Sequence, residues 1–193
     1  MNTVSKITIL AALTMLGACS AITGPVAPPA PPPPSALSTS DATFVQNASE
    51  INLVEVALGK AAATSAENAG VKSYAAAQVS DHTAAENRLS AIASSHGVTL
   101  ATAPNADDQK IITTMAALKN SAFDQAYLSR MVANHKAALP VMTSEASTST
   151  DIDLKSYAED NSATVQKHLT AAEALENPGH HAVTHSRRHK RKS

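Results

Sequence analysis

The chain has 193 residues, of which 44% are apolar and only 3% aromatic, with no Trp, a single Cys and a formal net charge of −1. That length holds one domain around one core, the lone Cys excludes an intrachain disulfide framework, and an Ala-rich apolar fraction favours closely packed helices over sheet. The small net charge hides an asymmetry: all 16 acidic residues lie from Asp41 to Glu176, while Arg187, Arg188, Lys190, Arg191 and Lys192 crowd the last positions.

Residues 1–18 carry an amine and one lysine, then an apolar run from Ile7 to Leu16, then the small residues of Leu16-Gly17-Ala18-Cys19. This resembles a lipoprotein signal peptide and lipobox, in which cleavage leaves Cys19 as the acylated first residue. The run is too short to persist as a membrane-spanning helix. Several acyl chains, at roughly 0.8 kcal/mol per buried methylene, anchor a protein to a membrane far more firmly than a surface helix does. Ser20 stands where lipoproteins retained at the inner membrane often carry Asp, so the expected location is the outer membrane, with the domain facing the periplasm. Residues 19–40 are rich in proline, which favours extended polyproline II and makes this stretch a tether.

The helical body is predicted over residues 41–177. Ser40 and Asp41 offer N-cap oxygens, and Phe44, Ala48, Ile51, Glu55, Leu58 and Ala62 recur at three- and four-residue spacing, predicting a helix to about Asn68 that Gly70 breaks. Ala75, Val79, His82, Glu86, Leu89, Ala93 and His96 form the stripe of a second helix, with Gly97 as its C′ residue. Ile111, Ile112, Met115 and Leu118 mark a short helix. Ser121 and Asp124 have capping-box spacing ahead of Leu128, Met131, His135, Ala138 and Met142, and Pro140 predicts a kink in that helix. Thr150 to Asp153 repeats the capping pattern before Leu154, Tyr157, Asn161, Val165, His168, Ala172 and Leu175. An echo joins the halves: Val71-Lys72-Ser73-Tyr74-Ala75 returns as Leu154-Lys155-Ser156-Tyr157-Ala158, and Phe44 and Phe123 open the preceding helices. The expected architecture is therefore an all-α, up-and-down four-helix bundle made of two hairpins, with one extra short helix in the crossover.

Phe44, the run from Glu55 to Lys60, Asp81-His82-Thr83, Gly97-Val98-Thr99-Leu100, the run from Phe123 to Leu128, His135 and His168-Leu169 together resemble a ferritin-like family of bacterial outer-membrane proteins of unknown function, domain of unknown function 4142. The resemblance spans residues 41 to 176 or so. It implies a ferritin-like bundle in the envelope and brings no established activity.

Each long helix sets an ionisable side chain on its apolar stripe: Glu55, His82 with Glu86 one turn on, His135, and His168. Buried charges are costly unless paired, so four arriving on four inner faces are expected to meet. Counting the helical rise from the turns puts Glu55, His82 and His135 nearly level and His168 about one turn off, near Glu86. Two readings stand. One is a divalent-metal site for Zn, Cu, Fe or Mn, with Met131 and Met142 suited to copper, although the Glu-x-x-His pattern of di-iron bundles is missing. The other is a hydrogen-bond network that fixes helix register. Asp81 is an outer partner on either view.

No nucleophile elbow, phosphate loop, H-E-x-x-H or Cys-His pair occurs, so no catalytic residue and no organic cofactor is expected. Residues 178–193 form a basic, His-rich tail that is expected to be unstructured. Its Arg187, Arg188, Lys190, Arg191 and Lys192 suit anionic envelope polymers, and without aromatics for base stacking it does not suit nucleic acid. The first functional expectation is a non-enzymatic, envelope-anchored bundle with a binding or stress-related structural role. The second is a metal-binding bundle, and an enzyme comes third.

Overall fold

The computed structural model describes residues 35–178. The expected signal peptide, Cys19, the tether up to residue 34 and the basic tail with Arg187, Arg188, Lys190, Arg191 and Lys192 lie outside the described residues. Within them, five helices follow one another: α1 (Thr39–Ser65), α2 (Ala69–Ser95), α3 (Ala106–Ala117), α4 (Asn120–Thr148) and α5 (Ile152–Glu176). There is no strand among the described residues.

The four long helices form a ring in which α1 packs on α2 and α4, and α5 packs on α2 and α4. Contacts at the helix ends fix their directions. The start of α4 meets the α1–α2 turn, where Asp124 accepts the backbone N–H groups of Glu67 at 3.2 Å and Asn68 at 2.9 Å. The start of α5 meets the end of α2 through His96 Nε2 and Asp151 Oδ2, 2.9 Å apart. So α1 rises, α2 falls, α4 falls and α5 rises, and every neighbour round the ring is antiparallel. The segment between α2 and α4 must climb the length of the bundle. It does so along α1: Gln46 Nε2 donates to the Thr99 carbonyl, Asn105 donates to Glu50, and Lys119 Nζ donates to Ser65 Oγ. Helix α3 is the extra element expected in that crossover.

Local chemistry explains most boundaries and corrects several expectations. The N-cap of α1 is Ser38, whose hydroxyl accepts from Asp41 N–H, so Ser40 and Asp41 lie inside the first turn. The α1–α2 break falls at residues 66–68, with Asn68 capping α2 by accepting from Gly70 N–H; Gly70 therefore starts a helix and does not break one. The expected capping box at Ser121 is absent. Asp124 turns to the α1–α2 turn, Lys119 stands at the N-cap without a side-chain capping bond, and Asn120 begins α4 at φ 56°. The cap of α5 is Asp151, accepting from Asp153 and Leu154 N–H, not Thr150. Gly97 sits at φ 72° as expected, where Val98 N–H reaches the Ala93 carbonyl and Gly97 N–H the Ser94 carbonyl, a Schellman closure of α2. Pro140 lies on the exposed side of α4, which continues through it to Thr148.

The echoed segments occupy the same register: Val71, Tyr74 and Ala75 in α2 and Leu154, Tyr157 and Ala158 in α5 are all buried, each trio beginning at its helix's third residue. Two apolar clusters result. One gathers Leu58, Tyr74, Phe123, Tyr127, Met131 and Leu169, the other Phe44, Leu89, Met142, Leu154 and Tyr157. Between them lies a polar layer. Close approach of α1 and α2 beside that layer requires Gly59, where an added Cβ would stand 2.7 Å from Val79 Cγ2 and 3.1 Å from the Ala75 carbonyl oxygen.

Candidate metal centre

The layer's four central side chains come one from each long helix: Glu55 from α1, His82 from α2, His135 from α4 and His168 from α5. All are buried, at 1%, 5%, 1% and 2% relative exposure. The three imidazole centroids lie 5.7 to 5.9 Å apart, so the helices bring all four groups together.

Three of them converge on one point. Glu55 Oε2 lies 2.7 Å from His82 Nε2 and 3.4 Å from His135 Nε2. One ligand atom from each residue falls within 4.8 Å of the others, a group that could hold a metal ion. Their outer partners decide how the rings present themselves. His135 Nδ1 lies 2.7 Å from the Met131 carbonyl, which can only accept, so Nδ1 carries the proton and Nε2 turns a lone pair toward Glu55. Asn52 Nδ2 donates to Glu86 Oε2 at 3.2 Å and to the Tyr157 hydroxyl at 3.2 Å, which points Asn52 Oδ1 at His82 Nδ1, 2.9 Å away. Ser49 Oγ holds the other oxygen of Glu86 at 2.6 Å. The chain Ser49, Glu86, Asn52 therefore fixes the His82 tautomer too, again with Nε2 facing Glu55.

The electrostatics follow from this arrangement. Burial alone pushes the Glu55 carboxyl up, but the positive charge that His82 and His135 carry when doubly protonated, with close polar contacts to His82 and Asn134, outweighs it and holds the group below its ordinary value. Despite their short approach, Glu55 Oε2 and His82 Nε2 find no hydrogen-bond partner in line with them. Two buried donor atoms of metal-ligand type are thus left facing each other. That is the donor set a cation would satisfy.

Glu86 and His168 stand differently from the other three expected ligands. Glu86 is half-buried and engaged with Ser49 and Asn52, and it reaches His82 only through Asn52. His168 Nε2 turns to Asp81 Oδ2 at 3.0 Å. Burial pushes the His168 imidazole down to about 4, with repulsion from His82 and His135 adding to it and attraction to Asp81 and Glu55 opposing it. His168 sits closer to the other two rings than the count of helical rise suggested. Met131 packs in the cluster round Tyr74 and Tyr127, and Met142 in the cluster round Phe44 and Tyr157. Sequence reasoning missed Asn52, Gln78 and Asn134. Gln78 is fully buried, its Nε2 3.2 Å from His135 Nε2 and in contact with the Tyr74 hydroxyl. The signal for two of them was present, since Asn52 lies three residues before Glu55 and Gln78 four before His82, on the same helical faces.

No curated protein shows significant similarity to this chain. Among solved structures, one described as "Crystal structure of DUF305 fragment from Deinococcus radiodurans" superposes with a TM-score of 0.65 at 12% identity, covering 76% of this chain and 99% of that one. At that identity the likeness concerns the helical fold alone. The model of a family described as a domain of unknown function, DUF4142, matches residues 26–175, and the chain belongs to that family.

Proposed function

We propose that the bundle binds one transition-metal dication between Glu55, His82 and His135. A single observation carries this reading: two imidazoles whose Nδ1 protons are committed to other acceptors both aim Nε2 at one buried carboxylate oxygen. Satisfying those atoms with protons would put two imidazolium ions beside a third imidazole in a water-poor layer, a costly arrangement. One dication satisfies all three at once. Two imidazole nitrogens and a carboxylate oxygen suit Zn, Fe or Cu better than Mg or Ca, and three protein donors leave a further coordination position open. The resemblance to ferritin-like bundles, which hold metals by carboxylates and imidazoles from facing helices, supports the reading.

The test is calorimetric titration and thermal melting of the protein with Zn, Cu, Fe and Mn. At a hundredfold excess over Kd, a bound ion adds about 2.7 kcal/mol of stability. Glu55→Gln and His82→Gln should abolish that gain, and Asn52→Leu should weaken affinity about 10- to 100-fold by freeing the His82 ring. If no metal raises the melting temperature of the wild-type protein, the layer is a structural hydrogen-bond network and the proposal fails.

The reading extends to place of action: a lipoprotein of the outer membrane, acylated at Cys19, with the basic tail against anionic envelope polymers. The lipobox and the cluster from Arg187 to Lys192 support it. Cys19→Ser should move the protein from the membrane to the soluble fraction of lysed cells; retention in the membrane removes this part of the reading.

A further inference from the structure

We propose that Asp81 and His168 form the path by which a metal ion passes between solvent and the buried centre, Asp81 receiving the ion and His168 handing it inward. This rests on the reading of Glu55, His82 and His135 as a metal centre. Of the groups around that centre, His168 couples a buried ligand-type atom to the surface. Its side chain is 2% exposed, whereas that of Asp81, 3.0 Å away, is 36% exposed. His168 Nε2 meets Asp81 Oδ2 without an aligned hydrogen bond, so a cation arriving between the two atoms breaks none. On the inner side its ring lies 5.8 Å from that of His82, nearly parallel to it, and 5.7 Å from that of His135. On the outer side Asp81 lines a surface concavity between α2 and α5, with Asn161, Thr164 and Lys167. A dication sheds water only in exchange for other donors, so a path into a dry core needs ligand atoms along it. A carboxylate followed by an imidazole supplies them in order.

The groove on the opposite side, between α1 and α4, lacks such a series. It is lined by Ile51, Val54, Ala138 and Val141, and the polar group there that contacts the centre is Asn134, whose amide N–H donates to Glu55 Oε1 at 3.4 Å. An incoming cation would meet a donor proton there, not a lone pair. Of the carboxylates in that groove, Glu50 is engaged by Asn105, and Asp108 by Asn105 and Arg130.

A path, unlike a ligand, changes the rates of loading and release by the same factor and leaves the equilibrium where it was. The experiment is stopped-flow transfer of Zn from a chromophoric chelator to the full-length protein, with release and Kd measured on the same samples. For Asp81→Asn and His168→Phe both rates should fall about tenfold. Kd should stay within about twofold, and Val141→Ala, in the α1–α4 groove, should change neither rate. Asp81 is a surface residue, so its variant stands even if His168→Phe does not fold. Loading and release at wild-type speed in Asp81→Asn would overturn the path and leave the centre intact, as would a changed Kd with an unchanged loading rate. A wild-type protein that takes up no Zn would overturn the centre and the path together.

Discussion

Two glutamates in this bundle are almost hidden from solvent, Glu55 at 1% and Glu145 at 6% exposure, and they are shifted in opposite directions. Burial raises both. At Glu55, in the middle of the bundle, the surrounding imidazoles reverse the effect and the carboxyl is held down. At Glu145, in the last turn of α4, the neighbours are carboxylates. Burial, the charge of Asp41 and a hydrogen bond with it, and the charge of Asp151 together push the group up to about 7. Neighbours, more than depth, decide what a buried acid does. The middle of the bundle is arranged to hold positive charge, whereas the end where α1 starts is arranged to hold a proton.

That contrast can be broken at each point. Glu55→Ala should do the most damage, costing about 3 to 5 kcal/mol in denaturant unfolding, because it strands the buried His82 and His135 without the carboxylate they face. Gly59→Ala should cost about 1 to 3 kcal/mol by driving α1 from α2 beside the same layer. It should weaken metal binding while leaving the pH response of the far end unchanged. Glu145→Gln should act in the opposite sense, stabilising the fold at pH 8 by about 1 to 2 kcal/mol. The sign follows from linkage. Glu145 titrates at about 7 when folded against 4.5 ordinarily, so the folded chain holds the extra proton between those values, and stability falls as pH rises through that window. Melting temperatures from pH 4 to 9 should show this decline in the wild type and lose it in the variant. An exposed carboxylate makes the third case. Asp160 pairs with Arg88 at 2.6 Å, with the two side chains 67% and 40% exposed, and Asp160→Asn should change unfolding by no more than about 0.5 kcal/mol.

The amphipathic stripes made the four long helices, the crossover helix and the inward-facing Glu55, His82, His135 and His168 legible in the sequence, because helical spacing alone puts them on one face. Caps were less so. Ser121 and Asp124 have the spacing of a box, yet Asp124 serves the α1–α2 turn, a partner 56 residues away that no local pattern names. The internal echo conveyed the two hairpins but not the site: carrying it forward sets His82 against Val165 and Ala85 against His168, so the ligands are not themselves repeated. The acidic end was invisible for a related reason. Asp41, Glu145 and Asp151 come from three separated stretches, and each in isolation resembles a cap or a surface charge.

The crossover has one further effect, on where the chain comes in and goes out. Because α1 and α5 both rise, the described polypeptide enters at the pole where His96 Nδ1 donates to the Ser35 carbonyl, and leaves at the pole where Leu175 lies against Gly70. A bundle of four helices in simple succession would return both termini to one side. Here α1, with 27 residues, separates them by roughly 40 Å. A pull applied at the two ends of the described residues would therefore run along the helix axes and across the layer that joins them.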